Sequence, residues 1–293
     1  MGIIKRILIT VVSIIIILIL GLFLFLEFYT PPLSENYGKV DHQLFVGDSE
    51  NQPLIVAFGG SQGGNTWTED YWAGMRNEFL QQGYAILSVG YFNTENTPIN
   101  CDRISLNAIY DTIKKVSNHP KINKDKIALL GSSRGGELVL NLACRYNDID
   151  AVVALVPSHT TFVAATPSSW TLYNSAWTFN NEEVPYLPIP YKAIVPIVRG
   201  DLERIWEITF ENEKNAINSV IEVEKINGPI LLMSAKDDEL WPSKYMSDRI
   251  ANRLKEKQFK YYYQHFSFEG RHHDTKKHFD VVFKFLDEHF RLD

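Results

Sequence analysis

The chain has 293 residues, 45% of them hydrophobic and 22% charged, with 29 Lys+Arg against 35 Asp+Glu for a formal net charge of −6. That balance excludes disorder, a collagen-like fold and a disulfide mini-scaffold, and with no basic stripe no nucleic-acid partner is expected. Length alone would allow two domains, but α/β folds of this size are commonly one unit.

The apolar residues are unevenly spread, and the first element of the chain takes a large share of them. From Ile7 to Leu26 runs a stretch of 20 residues without a charge. At about 1.5 Å per residue a helix of that length spans roughly 30 Å, the hydrocarbon thickness of a bilayer. Lys5 and Arg6 precede it and Glu27 follows it, so the positive-inside rule puts the N-terminus in the cytoplasm and everything after Phe28 on the outer face. A cleaved signal peptide would carry a shorter apolar core and a small-x-small site, whereas this run ends Phe25-Leu26-Glu27-Phe28-Tyr29. Residues 1–28 are therefore expected to form a single-pass membrane anchor. Residues 29–36, with Pro31 and Pro32 restricting the backbone, read as an extended linker, and 37–293 as one domain. No motif relates Cys101 to Cys144, and both are expected to remain free thiols.

Beyond the linker, apolar runs alternate with helical patterns. Strands are predicted at 54–58, 85–89, 126–130, 151–156 and 229–234, with a last one around 259–266. Helices are predicted in a segment ending at Gly83 and at 103–118, 135–146, 244–256 and 275–290. Continuous rather than alternating apolar strands imply a sheet covered on both faces, and strand-helix alternation implies parallel pairing, which together describe a doubly wound α/β sheet. From about Pro157 to Asn227 no clean strand is visible. That stretch instead holds several prolines and Trp170, Tyr173, Trp177, Phe179, Tyr186, Tyr191, Trp206 and Phe210, the composition of a lid-like insert.

The segment Gly131-Ser132-Ser133-Arg134-Gly135 has the form G-x-S-x-G and lies between a predicted strand and a predicted helix. That is the setting of a nucleophile elbow, in which a strained turn lifts one hydroxyl, here Ser133, above the sheet at a helix N-terminus. A serine needs a base, and the base an orienting acid. The acid is expected in Lys236-Asp237-Asp238-Glu239-Leu240-Trp241-Pro242; Asp238 is preferred because it stands four residues before Pro242, a spacing such loops use. The base is expected in Glu269-Gly270-Arg271-His272-His273-Asp274, with His273 preferred and His272 the alternative. The backbone N–H groups of Arg134 and of Ser61, in Phe58-Gly59-Gly60-Ser61-Gln62-Gly63-Gly64, are the expected oxyanion donors. That glycine loop matches neither the phosphate-loop nor the dinucleotide pattern. Although His272, His273, Asp274 and His278 lie close in sequence, their spacing is not that of a metal site. No cofactor or metal is expected.

The elbow Gly131 to Leu138, the segment Gly228 to Ser243 with its D-D-x-x-W-P-S core, and Glu269-Gly-Arg-His-His273 together resemble the catalytic domain shared by acyl-CoA thioesterases and bile acid-CoA:amino acid N-acyltransferase. The resemblance covers roughly 45–290. It implies an α/β-hydrolase fold with Ser133 as nucleophile, Asp238 as acid and His273 as base, acting on an acyl ester or thioester through an acyl-enzyme. Family members that transfer acyl groups to amino acids resemble this elbow with cysteine in place of serine, so Ser133 favours hydrolysis. Acyl transfer to an amine or alcohol is the alternative activity, and a non-catalytic binding protein on the same fold the alternative class. Because acyl-CoA is cytoplasmic and the domain is expected on the outer face, another, lipid-derived acyl ester is an alternative substrate.

Overall fold

A computed structural model describes residues 2–164, 174–211 and 217–291 of the chain. The predicted apolar runs form the middle of a seven-stranded sheet. In chain order its strands are β1 (Asp41–Phe45), β2 (Gln52–Phe58), β3 (Ala85–Gly90), β5 (Ile122–Ser132), β6 (Ala151–Leu155), β9 (Ile230–Ala235) and β10 (Tyr263–Phe268), where β4 (Ile104–Ser105), β7 (Trp177–Phe179) and β8 (Glu182–Glu183) belong to a separate three-stranded sheet. The spatial order is β1-β3-β2-β5-β6-β9-β10. Every pairing is parallel except β1 with β3. β3, β6 and β9 are buried along their whole length, as strands covered on both faces must be.

Helices α2 (Ala73–Gln81) and α8 (Phe279–His289) cover one face. There Phe79, Phe279 and Phe283 pack with Ile86, Leu130, Val153 and Leu231. Helices α3 (Leu106–Ser117), α4 (Arg134–Ala143) and α7 (Ser243–Glu256) cover the other, burying Ile109, Ile113, Leu138, Leu142, Ile250 and Leu254 against Val56, Leu129 and Leu232. The α3 start is fixed by Ser105, whose hydroxyl accepts the Ala108 N–H at 3.2 Å, satisfying a donor that a helix start leaves free.

The predicted closing helix at 275–290 divides in two. A 3₁₀ segment, His272–His278, comes first and α8 begins only at Phe279. The edge strand β1 was not expected. Three of the five residues in its sequence Asp-His-Gln-Leu-Phe are polar, and none is fully buried, as an outer strand allows.

The stretch 157–227 also contains more regular structure than its sequence suggests. β7 pairs with β4 and β8, and α5 (Ile194–Arg199) and α6 (Leu202–Glu211) form a helical pair. Strands of two or three residues leave no periodicity to recognise. Trp177 is fully buried, while Trp206 and Phe210 pack with Phe162 and Trp241. Trp170 and Tyr173 lie outside the described residues.

The N-terminal apolar run is one helix, α1 (Ile3–Phe28), whose span Ile3–Phe25 includes an 18-residue stretch with a mean hydropathy of 3.3 that is not buried against the rest of the chain. After it, Arg103 pins the prolines, its guanidinium donating to the carbonyls of Pro31 at 2.8 Å and Pro32 at 3.3 Å. Cys101 and Cys144 are free thiols, and burial pushes the Cys101 thiol up to about 12.

Candidate active site

β5 ends at Ser132 and α4 starts at Arg134, so the single residue between them must reverse the chain. Ser133 does so with φ 59° and ψ −120°, a conformation that costs a side-chain-bearing residue roughly 1–3 kcal/mol and persists only where the surroundings impose it. They do so on both flanks. The backbones of Gly131 and Gly135 approach so closely that a Cβ at position 131 would overlap the Gly135 carbonyl, and one at 135 would overlap that of Gly59. The Ser133 N–H donates to the Leu155 carbonyl at 2.8 Å.

Beneath the elbow lies an ion pair that the sequence did not announce. Arg134 donates to Glu137 at 2.8 Å, and both side chains are buried. Glu137 also accepts the Trp177 indole N–H at 2.7 Å and the Phe162 N–H at 3.2 Å, while Arg134 donates to the Val163 carbonyl at 3.3 Å. The insert is thereby tied to the first turn of α4. Burial pushes the Glu137 carboxyl above the ordinary carboxylate range, only partly offset by Arg134. In the sequence its signal was no more than a Glu at the fourth position of a largely apolar helix.

The acid and histidine loops leave adjacent parallel strands, β9 and β10, and are joined by backbone bonds from Lys236 N–H to Phe268 and from Asp237 N–H to Gly270, both 3.0 Å. Asp238 accepts N–H bonds from Leu240 at 3.1 Å and Trp241 at 3.2 Å. Its two carboxylate oxygens stand 2.8 and 2.9 Å from Nδ1 of His272. Of the three acids in this loop, Asp238 is the one brought to a histidine ring.

His273, the expected base, is not brought to Asp238; its neighbour His272 stands there. The cause is the 3₁₀ turn that begins at His272, in which successive side chains diverge by about 120°. Two contacts set the phase of that turn. Asp274 accepts the Arg271 N–H at 2.8 Å, and Glu239 accepts the His272 N–H at 3.1 Å. The Arg271 N–H and the Lys277 ammonium hold the Asp274 carboxyl below its usual range. His272 is buried, whereas His273 is exposed with its ring nearly perpendicular to that of His272, at 85°.

Ser133, His272, His273 and Ser61 all line one cavity of about 530 Å³, together with Trp67, Trp72 and Leu240. The glycine loop forms one wall. The Tyr91 hydroxyl donates to the Gly59 carbonyl at 3.0 Å, and the Asn93 amide to that of Gln62 at 3.2 Å. A Cβ at Gly60 would stand 3.1 Å from the Ser133 Cβ, a tight contact, so glycine lets this backbone approach the elbow without displacing it. Arg134, as the first residue of α4, has an N–H with no acceptor within its helix. A second cavity, of about 670 Å³, adjoins the first at Leu240 and is lined by Trp206, Phe210, Trp241 and Tyr245 together with Asp238.

A further Ser-His-Asp string exists. Ser234 lies 2.7 Å from His265 Nε2, and His265 Nδ1 lies 3.1 Å from Asp248. Ser234 is fully buried within β9, so no substrate carbonyl can reach its hydroxyl. Among the described residues no group of three or more His, Cys, Asp or Glu is arranged to hold a metal ion.

Known proteins share both fold and sequence with this chain. Among solved structures, a puromycin-hydrolyzing peptidase of Mycobacterium tuberculosis superposes with a TM-score of 0.59 at 13% identity, covering 87% of this chain and 38% of that one. Acetyl xylan esterase 1 from Thermoanaerobacterium sp. JW/SL YS485 does so with a TM-score of 0.53 at 14% identity, covering 85% and 78%. At such identities the likeness establishes the fold, which is that of α/β-hydrolases. By sequence, human acyl-coenzyme A thioesterase 6 is 26% identical over 231 residues, covering 74% of this chain and 48% of that protein. Mouse peroxisomal succinyl-coenzyme A thioesterase is 24% identical over 230 residues with the same coverages. The chain thus spans about half the length of these relatives. Residues 104–276, more than half of the chain and including the elbow, the acid loop and both histidines, match the family described as BAAT / Acyl-CoA thioester hydrolase C terminal, and the chain belongs to that family.

Proposed function

We propose that this chain is a membrane-anchored serine hydrolase that cleaves acyl thioesters or esters through an acyl-enzyme on Ser133, with His272 as base and Asp238 as its orienting acid. The observation that carries this is the buried Asp238–His272 pair lining the same cavity as the Ser133 elbow. In the first half-reaction the Ser133 hydroxyl oxygen bonds to the acyl carbon, its proton passes to Nε2 of His272, and the carbonyl electron pair moves onto oxygen. Asp238, accepting from Nδ1–H, fixes the tautomer that leaves Nε2 free as acceptor and stabilises the imidazolium. The Arg134 and Ser61 N–H groups, at a helix start and in the glycine loop, are the proposed donors to the oxyanion; one such donor is typically worth about 10²–10³ in kcat. The tetrahedral species collapses, the bond to sulfur or oxygen breaks, and the leaving group takes the proton from His272. Water repeats the sequence and frees the acid.

The proposal includes a division into an anchor at 1–28, a linker at 29–36 and a hydrolase domain at 37–293 with the insert at 157–227. The N-terminus lies in the cytoplasm and the domain on the outer face. Support comes from the length and apolarity of α1 and from Lys5 and Arg6 in its first turns, ahead of the charge-free run.

The test offers the purified full chain acyl-CoAs and neutral acyl esters, with glycine as competing acceptor. Release of free acid that Ser133→Ala abolishes is expected. Acyl-glycine as the main product would replace hydrolysis by transfer, and no turnover of any ester would overturn the proposal.

A further inference from the structure

A run of exposed apolar surface lies on α5. Four of its six residues are apolar and solvent-facing: Ile194 is 41% exposed, Val195 57%, Ile197 39% and Val198 82%. A water-facing helix would carry polar residues there. Three residues before α5, the ring of Tyr191 packs on that of Phe23 in α1, with centroids 5.6 Å apart. Phe23 is two residues from the end of the apolar segment Ile3–Phe25, a rise of about 3 Å along a helix. If α1 crosses a bilayer, Tyr191 therefore stands at the lipid-water boundary, where tyrosine is favoured, and the apolar face of α5 continues the surface that α1 presents to lipid.

Beyond α5 the chain turns toward the catalytic cavity. Gly200, with φ 68°, takes the left-handed turn that reverses the chain into α6. There Leu202, itself 38% exposed, and Trp206 form one side of the 670 Å³ cavity, and Leu240 on the other side is shared with the Ser133 cavity. The charge around this opening does not suit a polyphosphate headgroup. Glu203, Glu207 and Glu239 line it, and its two lysines are engaged, Lys236 with Glu269 and Lys244 with Asp248.

We infer that α5 lies in the bilayer surface beside α1 and that the substrate is an uncharged acyl ester dissolved in the bilayer, entering between α6 and the acid loop. The inference rests on the hydrolase and anchor readings above and adds to them the place from which substrate comes. An acyl chain would leave lipid at α5 and run along Leu202, Trp206 and Leu240 toward Ser133 without crossing water. The linker pinned at Pro31 and Pro32 by Arg103 would keep the domain at that height.

The test uses the full chain with Cys144→Ser, Cys101 being fully buried, in phosphatidylcholine vesicles containing spin-labelled lipid. A fluorophore is placed in turn at Ile16→Cys in α1, Val198→Cys in α5 and Lys124→Cys in the body. Lipid quenching at positions 16 and 198 but not 124 is expected. Quenching at 16 with position 198 in water overturns the inference and leaves the anchor standing; both in water overturn the anchor as well. Position 198 shielded from water and lipid alike means a second copy covers α5, and also overturns it. In parallel, the paired change Val195→Glu with Val198→Glu should lower hydrolysis of vesicle-dissolved p-nitrophenyl palmitate about tenfold or more, leaving p-nitrophenyl acetate within about twofold. Equal loss on both esters contradicts the inference, whereas failure of wild type on both overturns the hydrolase reading instead.

Discussion

Asp238 holds His272 with both carboxylate oxygens, 2.8 and 2.9 Å from Nδ1, in a pair whose side chains are 1% and 3% exposed. A buried carboxylate gripping one imidazole nitrogen leaves the other as the only one able to face Ser133. His272→Ala should therefore lower kcat by roughly 10³-fold or more, and Asp238→Asn by roughly 10³–10⁴-fold through loss of the correct tautomer. His273→Ala, at the exposed neighbour, should change kcat by less than about tenfold. Steady-state kinetics on the three purified variants checks this, and equal losses at the two histidines would contradict the assignment.

The Arg134–Glu137 pair supports the elbow from below. Glu137→Ala leaves a buried guanidinium uncompensated and breaks two further bonds, to Trp177 and the Phe162 N–H. Removing one partner of such a pair typically costs about 3–5 kcal/mol, which corresponds to a drop in Tm of roughly 10 °C for a domain of this size. Thermal unfolding followed by circular dichroism reads it. A variant melting within about 2 °C of wild type would mean that the pair contributes little to stability.

Acid stability should depend on Glu224. Burial raises its carboxyl, but the bidentate bond from Arg253, both contacts 2.6 Å, leads the interactions that hold it below the ordinary range on balance. A carboxyl lowered in the folded state contributes stability in full above its unfolded pKa, near 4.3, and loses it as pH falls below that value. Glu224→Gln should thus be about 1 kcal/mol less stable than wild type at pH 7, with the gap closing near pH 3. Denaturant melts at both pH values decide it; a gap that widens on acidification would reverse the sign. Glu137, raised by burial, works in the opposite sense, contributing below its unfolded pKa and losing that contribution as pH rises.

The sheet was legible because its central strands are unbroken apolar runs, such as Leu54 to Phe58 and Ala151 to Val156, that only a doubly covered sheet accommodates. The elbow was legible for a similar reason, since Gly131 and Gly135 are demanded by backbone approaches on both flanks of Ser133. That Asp238 is the acid of its loop that meets a histidine ring agrees with its distance from Pro242. Which of the two histidines it meets could not be read, because that turns on the phase of a 3₁₀ segment fixed by Glu239, 33 residues earlier in the chain. The Arg134–Glu137 pair was hidden likewise, its partners Phe162 and Trp177 coming from an insert whose short strands carry no period.

The most direct measurement of the central claim is fluorophosphonate labelling of the full chain, with the adduct mapped by mass spectrometry. One adduct on Ser133 is predicted, absent in Ser133→Ala, at least about a hundredfold slower in His272→Ala and little changed in His273→Ala. Labelling that persists in Ser133→Ala, or that depends on His273 rather than His272, would contradict it.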